Sequence, residues 1–174
     1  MKNRFVTVCV LAVLLLAGCQ PAAQSPSFVA TDITGANFAG DFRLTDHNGQ
    51  VRTLADFKGK AVAIFFGYIH CPDVCPTTLS DFAQALRQMG PDAARVQVIF
   101  VTVDPQRDTP ELLKQFVPAF NPDFLGMYTD AESLKQLAKE YKVVYQKTSV
   151  KAADDYLIDH SAGTYVYDPQ GRLR

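Results

Sequence analysis

The sequence has no excess of either charge, no basic stretch interleaved with aromatics, no internal repeat and no apolar run long enough for a comfortable membrane-spanning helix. The formal net charge is −1. Without a lysine- and arginine-rich face the chain lacks the electrostatic footprint of a nucleic-acid binder, and no nucleic-acid partner is expected. With 174 residues there is room for one domain and little else. The apolar share of 48% and charged share of 20% are ordinary for a globular protein. A core of that size is feasible without disulfide staples.

The longest apolar run, Phe5–Ala17, follows Lys2 and Arg4. A permanent transmembrane helix needs roughly 20 apolar residues, so this shorter run with a basic start reads as a signal peptide. It closes on Leu16-Ala17-Gly18-Cys19, which resembles a bacterial lipobox. The resemblance implies cleavage before Cys19, a diacylglyceryl group on its thiol, and a membrane-anchored lipoprotein facing the periplasm or the cell exterior. An ordinary secretory signal with a coincidental Cys19 is the alternative. The organisation expected is a signal peptide over residues 1–18, a flexible Pro/Ala/Ser/Gln-rich tether over 19–36 and a folded domain over 37–174.

Spare cysteines are absent too. Of four, Cys9 leaves with the signal peptide and Cys19 takes the lipid, so only Cys71 and Cys75 remain as thiols. A disulfide across so short a loop would constrain the unfolded chain little, which makes the pair a candidate for chemistry rather than for stapling.

The pattern along the chain alternates strands and helices. Phe42–Thr45 and Val51–Thr53 flank the turn sequence Asp46-His47-Asn48-Gly49 and predict an N-terminal β-hairpin. Ala61–Gly67 and Arg95–Val103 are continuous apolar runs, as in strands buried on both faces. Helices are predicted from Pro76 to about Met89, from Thr109-Pro110 to before Asn121, and from about Ala131 to Lys142. Phe124–Tyr128, Val143–Lys147 and Thr164–Tyr167 supply further strands. Phe65, Phe66 and Phe82 are assigned to the core. The class is α/β, a mixed sheet flanked by helices. Asp168-Pro169-Gln170-Gly171 is a turn and Arg172-Leu173-Arg174 starts a returning strand, so a final strand and helix are expected to be missing.

The chemistry centres on Cys71-Pro72-Asp73-Val74-Cys75-Pro76, between a buried strand and a helix. Open α/β sheets place their sites there, and a helix N-terminus favours thiolate. On a helix, residues i and i+4 hold their Cβ atoms about 5–6 Å apart. A disulfide prefers about 3.8 Å, whereas a metal with bonds of roughly 2.3 Å to each sulfur tolerates the wider gap. Soft thiolates select Cu(I) or zinc, and two of them leave a position open for a third ligand. His47, His70 and His160 are the candidates. His47 reads as a solvated turn residue, His70 as a neighbour of Cys71, and His160 as the residue just before a strand that adjoins the site. Asp104 and Asp108 read as carboxylates that cap the next helix and order its loop, ahead of a direct role in metal transfer, and Asp73 as a first-turn carboxylate or as a group that tunes the metal's charge or recognises a partner.

Together Cys71-Pro72-Asp73-Val74-Cys75-Pro76, Val103-Asp104-Pro105-Gln106-Arg107-Asp108-Thr109-Pro110 and Asp159-His160-Ser161 resemble the Sco/SenC family, from about residue 35 to the end. The resemblance implies a thioredoxin-like fold and a copper chaperone serving assembly of the dinuclear CuA centre of cytochrome c oxidase. Copper, as Cu(I) or Cu(II), would be bound by Cys71, Cys75 and His160. The alternative is a thiol–disulfide reductase, with Cys71 and Cys75 as the redox-active pair, acting on the cysteines of a copper-protein partner. Ala162 stands where thioredoxins place their cis-proline, which weakens the oxidoreductase reading. Peroxiredoxins share the string Val74-Cys75-Pro76-Thr77 but need a hydroxyl residue where this chain has Pro72.

Overall fold

The computed structural model describes residues 28–149, 151–152 and 155–174. The expected signal peptide, Cys19 and the first half of the expected tether lie outside the described residues. Residues 33–174 form one compact unit. No helix among the described residues is long and apolar enough to cross a membrane.

Among the described residues, eight strands and three α-helices follow one another: β1 (Arg43–Asp46), β2 (Val51–Thr53), β3 (Ala61–Gly67), α1 (Val74–Met89), β4 (Val96–Thr102), α2 (Pro110–Phe116), β5 (Leu125–Tyr128), α3 (Ala131–Glu140), β6 (Tyr145–Thr148), β7 (Leu157–His160) and β8 (Thr164–Tyr167). Six strands make one sheet in the order β2-β1-β5-β4-β3-β8. β3, β4 and β5 run parallel, joined by helical crossovers, while β8, β1 and β2 pair antiparallel. This is the mixed, helix-flanked sheet that the alternating pattern predicts.

β3 and β4 lie in the middle because their sequences allow nothing else. Val62 to Phe66 and Val98 to Val101 are all buried, and Phe65, Phe66 and Phe100 have no exposed surface. The strands are paired from Ala61–Val96 to Gly67–Thr102. α1 turns Cys75, Leu79, Ala83 and Leu86 inward, a stripe at helical spacing, and Phe82 packs partly buried against the core.

The N-terminal hairpin forms as expected. Asp46 accepts hydrogen bonds from the Asn48 and Gln50 N–H groups and from Arg52 Nε, while Gly49 takes the left-handed conformation that closes the turn. His47 is a correction. It is not a solvated turn residue but only 8% exposed. Its Nδ1 accepts the Gly126 N–H at 3.0 Å, linking the hairpin turn to β5.

Burial lowers the His47 pKa, assisted by Lys114 and opposed by the nearby Asp46 charge. Below the unfolded value of about 6.5, the unfolded chain takes up a proton that the native imidazole refuses. Stability therefore falls as the pH drops from about 6.5 towards the lowered native value. His47→Gln, which cannot titrate, is expected to remove this part of the slope in denaturant midpoints measured from pH 7.5 to 5. An unchanged slope would contradict the assignment.

Two further differences concern the strands between α3 and β8. β6 begins at Tyr145, two residues later than expected, and pairs with β7 rather than with the main sheet. β7 itself was not expected as a strand. At the other end, the turn at Asp168–Gly171 forms, and Leu173 bridges antiparallel to Tyr167 as the returning strand requires.

Candidate metal centre

β3 ends at Gly67, and the chain leaves the sheet through Tyr68 and a turn in which the Cys71 N–H donates to the Tyr68 carbonyl at 3.3 Å. Cys71 thus sits on a loop rather than on the helix. Cys75 occupies the first turn of α1, with no exposed surface, and Cys71 is 9% exposed. His160 closes β7, half-buried. The two Sγ atoms and an imidazole nitrogen all lie within 4.8 Å of one another. Cys75 Sγ is 3.4 Å from His160 Nε2. Among the described residues no other three histidine, cysteine or acidic side chains gather in this way.

The imidazole is oriented. His160 Nδ1 lies 3.1 Å from the Ser161 carbonyl. A carbonyl only accepts, so Nδ1 carries the proton and the Nε2 lone pair faces the thiols. A backbone carbonyl behind a ligating histidine is a common device for fixing its tautomer. Phe65 and Tyr68 meet the ring at centroid distances of 6.1 and 5.9 Å and steep interplanar angles, restricting its tilt.

The sulfurs are not equally placed. Burial pushes the Cys75 pKa well above that of an ordinary thiol, despite a hydrogen bond from the Tyr68 backbone N–H. The expectation that the helix start would enrich thiolate is therefore wrong for Cys75 in the metal-free protein, because desolvation outweighs the helix terminus. A thiophilic cation reaching this sulfur must displace its proton.

Cys75 is packed against the end of β3, and Gly67 makes the space. A Cβ at Gly67 would lie 2.8 Å from Phe100 Cε2, 2.9 Å from Cys75 Sγ and 3.0 Å from Phe65 Cε1. Gly67→Ala is expected to destabilise the fold by about 1–3 kcal/mol through overpacking. It should also displace Cys75, so that alkylation of Cys75 by a small maleimide in the native state accelerates. Unchanged stability and labelling would show that the site is looser than its contacts indicate.

Of the other candidates, His70 is exposed, and its Nδ1 lies 3.7 Å from Asp108 Oδ1, outside the sulfur–imidazole cluster. Asp73 stands at the N-cap position of α1 but makes no side-chain capping bond. Asp104 and Asp108 do not cap α2 either. Thr109 does, accepting the Leu112 N–H, with Pro110 at the first helical position. Both carboxylates are buried and order the loop, as expected. Cys71 and His160 open onto a groove of about 380 Å³ walled by Tyr68, Pro72, Asp73 and Leu157. A soft metal ion held by the three donors would face this groove on the side of Cys71 and His160.

Comparison with known proteins bears on what such a centre is for. Residues 30–174 match the SCO1/SenC family. The chain belongs to that family. Among curated relatives of SCO1/SenC type, it is 42% identical over 134 residues to the mitochondrial protein SCO2 homolog of Bos taurus. The match covers 76% of this chain and 50% of that protein, so the chain spans about half the length of the relative. The chain is also similar to solved structures of this type that carry copper. Bradyrhizobium japonicum ScoI with copper bound is 43% identical with a TM-score of 0.73, over 79% of this chain and 87% of that one. Yeast Sco1 with copper bound is 34% identical with a TM-score of 0.71, over 79% and 77% of the two chains. The fold is accordingly the thioredoxin-like one of the SCO1/SenC structures.

Proposed function

We propose that this chain binds copper through Cys71 Sγ, Cys75 Sγ and His160 Nε2 and hands it to a copper-protein partner, in assembly of the CuA centre of cytochrome c oxidase. The observation that carries the reading is the convergence of two thiols and a correctly oriented imidazole nitrogen within 4.8 Å, two of the three residues, Cys71 and His160, lining an open groove. Two sulfurs and one nitrogen suit a soft ion such as Cu(I) and tolerate Cu(II). A three-ligand site open on one side lets a partner's ligands enter and replace the chain's own one by one. The copper-bound relatives support the choice of metal.

The anchoring belongs to the same proposal. Cys19 is the first residue of the mature protein, carries a diacylglyceryl group and holds the domain at an extracytoplasmic membrane surface, with the tether supplying reach. The organisation is a signal peptide over residues 1–18, a tether over 19–36 and the copper-binding domain over 37–174. Mass spectrometry of the mature N-terminus checks the anchor: a lipid-modified Cys19 is expected, and an unmodified Cys19 thiol would contradict it.

Transfer is tested by mixing the copper-loaded chain with an apo CuA domain and following the visible absorption of the assembled dinuclear centre. Growth of the CuA bands with loss of copper from the chain is expected. The reductase reading predicts instead that copper-free, reduced chain restores an oxidised apo CuA domain, and that a His160→Ala variant does so as well as the wild type.

A further inference from the structure

The segment after β4 that carries Asp104, Arg107 and Asp108 has no place in the ligand set, yet it touches both halves of the centre. On the cysteine side, Asp108 Oδ2 accepts the Ile69 N–H at 3.0 Å and the Thr102 hydroxyl at 2.6 Å. Asp108 is 1% exposed, so these bonds fix the loop that leads into Cys71 onto the end of β4. On the histidine side, the contacts converge on Tyr156, the residue directly before β7.

Arg107 Nη1 donates to the Tyr156 carbonyl at 2.9 Å, and its guanidinium lies over the Tyr156 ring, 3.5 Å from the centroid. Asp104 Oδ2 accepts from Arg107 Nε, and Asp104 Oδ1 accepts the Tyr156 hydroxyl at 2.8 Å. Lys147 Nζ is 3.9 Å from the same ring and also donates to Gln106. Tyr156 is therefore held at its carbonyl, its face and its hydroxyl by one loop.

This matters because His160 is not on the main sheet. β6 and β7 form a separate two-stranded sheet, so no backbone ladder fixes the distance from His160 to the cysteines. Side chains do so instead: the grip on Tyr156 and the Ile158 N–H donated to the Tyr68 hydroxyl at 3.1 Å. We propose that Arg107 is a positioning residue for the metal centre, locking the β6–β7 ribbon through Tyr156 so that His160 Nε2 meets Cys71 and Cys75. The inference rests on the copper-site reading above and adds to it which residue sets the imidazole's contribution.

Arginine is the residue that fits. Its planar fork bonds Asp104 and the Tyr156 carbonyl at once while its face lies on the ring, a combination a lysine ammonium cannot reproduce. Loss of a partner that orients a ligating group typically lowers metal affinity about 10–100-fold.

The test uses the full chain with Cys9→Ser and Cys19→Ser, leaving Cys71 and Cys75 as its only thiols. Arg107→Met, Arg107→Lys, His160→Ala and the double variant Arg107→Met/His160→Ala are compared by competition titration with Cu(I) and by X-ray absorption of the bound copper. Both Arg107 variants should keep two sulfur ligands, lose imidazole scattering and bind about 10–100-fold more weakly, Arg107→Lys less severely. The double variant should bind no more weakly than His160→Ala alone, because the arginine acts through the histidine. Wild-type affinity with full imidazole scattering in Arg107→Met, or losses that add in full, would overturn the proposal. If Arg107→Met does not fold, the lysine variant carries the same comparison.

Amide hydrogen exchange on the metal-free proteins separates this claim from the copper reading. Faster exchange at Ile158 and His160 in Arg107→Lys, with Phe65 in β3 unchanged, supports the lock even if the wild type binds no copper. Equal exchange at these amides would overturn it.

Discussion

Cys75→Ser is expected to abolish tight copper binding while leaving a folded domain. The sulfur it removes has no exposed surface, lies 3.4 Å from His160 Nε2, and belongs to the only group of three candidate donors among the described residues. Serine fills nearly the same space, and its hydroxyl takes over the hydrogen bond from the Tyr68 N–H that Cys75 accepts. The fold therefore loses little, on the order of 1–3 kcal/mol for a buried hydroxyl. The metal loses a soft ligand for a hard, protonated oxygen. The fall in Cu(I) affinity should exceed about 100-fold, the upper end of what loss of an orienting partner alone produces. The thiolate-to-copper absorption of the Cu(II) form should shift or vanish. Competition titration measures the first and visible spectroscopy the second. Near wild-type affinity in Cys75→Ser would remove Cys75 from the site.

The second large effect concerns stability. Phe65 lies at the centre of β3 with no exposed surface, against Phe100 on β4 at 6.1 Å and against the His160 ring at the same separation. Phe65→Ala opens a cavity that neighbours on two parallel central strands cannot close, and such substitutions cost about 3–5 kcal/mol. Domains of this size are stable by roughly 5–15 kcal/mol. A denaturant midpoint lowered by about a fifth or more, with an unchanged slope, is therefore expected. A loss below about 1 kcal/mol would mean that the ring is not a core anchor. The same cavity frees one edge of the imidazole, so the surviving protein should bind copper more weakly than wild type.

The central strands and α1 were legible because burial on both faces of a strand and on one face of a helix leaves a local signature in the sequence. Ala61–Gly67 and the stripe Leu79, Ala83, Leu86 carry it plainly. The cysteine pair was legible from its spacing and its place between strand and helix. The structure brings His160 to the pair, as the family resemblance implied. β7 escaped because it is four residues long, Leu157 is 39% exposed despite being apolar, and its partner β6 is outside the main sheet. The short apolar run Tyr156-Leu157-Ile158 is the sequence signal that could have found it.

The misreadings share a cause: they depend on contacts between residues far apart in the chain. His47 is buried because Gly126 passes over it, and nothing near the turn announces that neighbour. Asp108 is held by Ile69 and Thr102 rather than by the helix it precedes. The Cys75 thiol is governed by the aromatic and aliphatic walls around it, while the sequence reveals only the helix start. Local chemistry thus picked out side chains that the structure brings together and misjudged how their surroundings tune them.

The most direct test of the central claim is copper K-edge X-ray absorption on the reduced chain with Cys9→Ser and Cys19→Ser, loaded with one equivalent of Cu(I). Two sulfur scatterers and one imidazole nitrogen are predicted, with the nitrogen absent in His160→Ala and one sulfur absent in Cys71→Ser or Cys75→Ser. A spectrum lacking sulfur, or one indifferent to His160, would contradict the account.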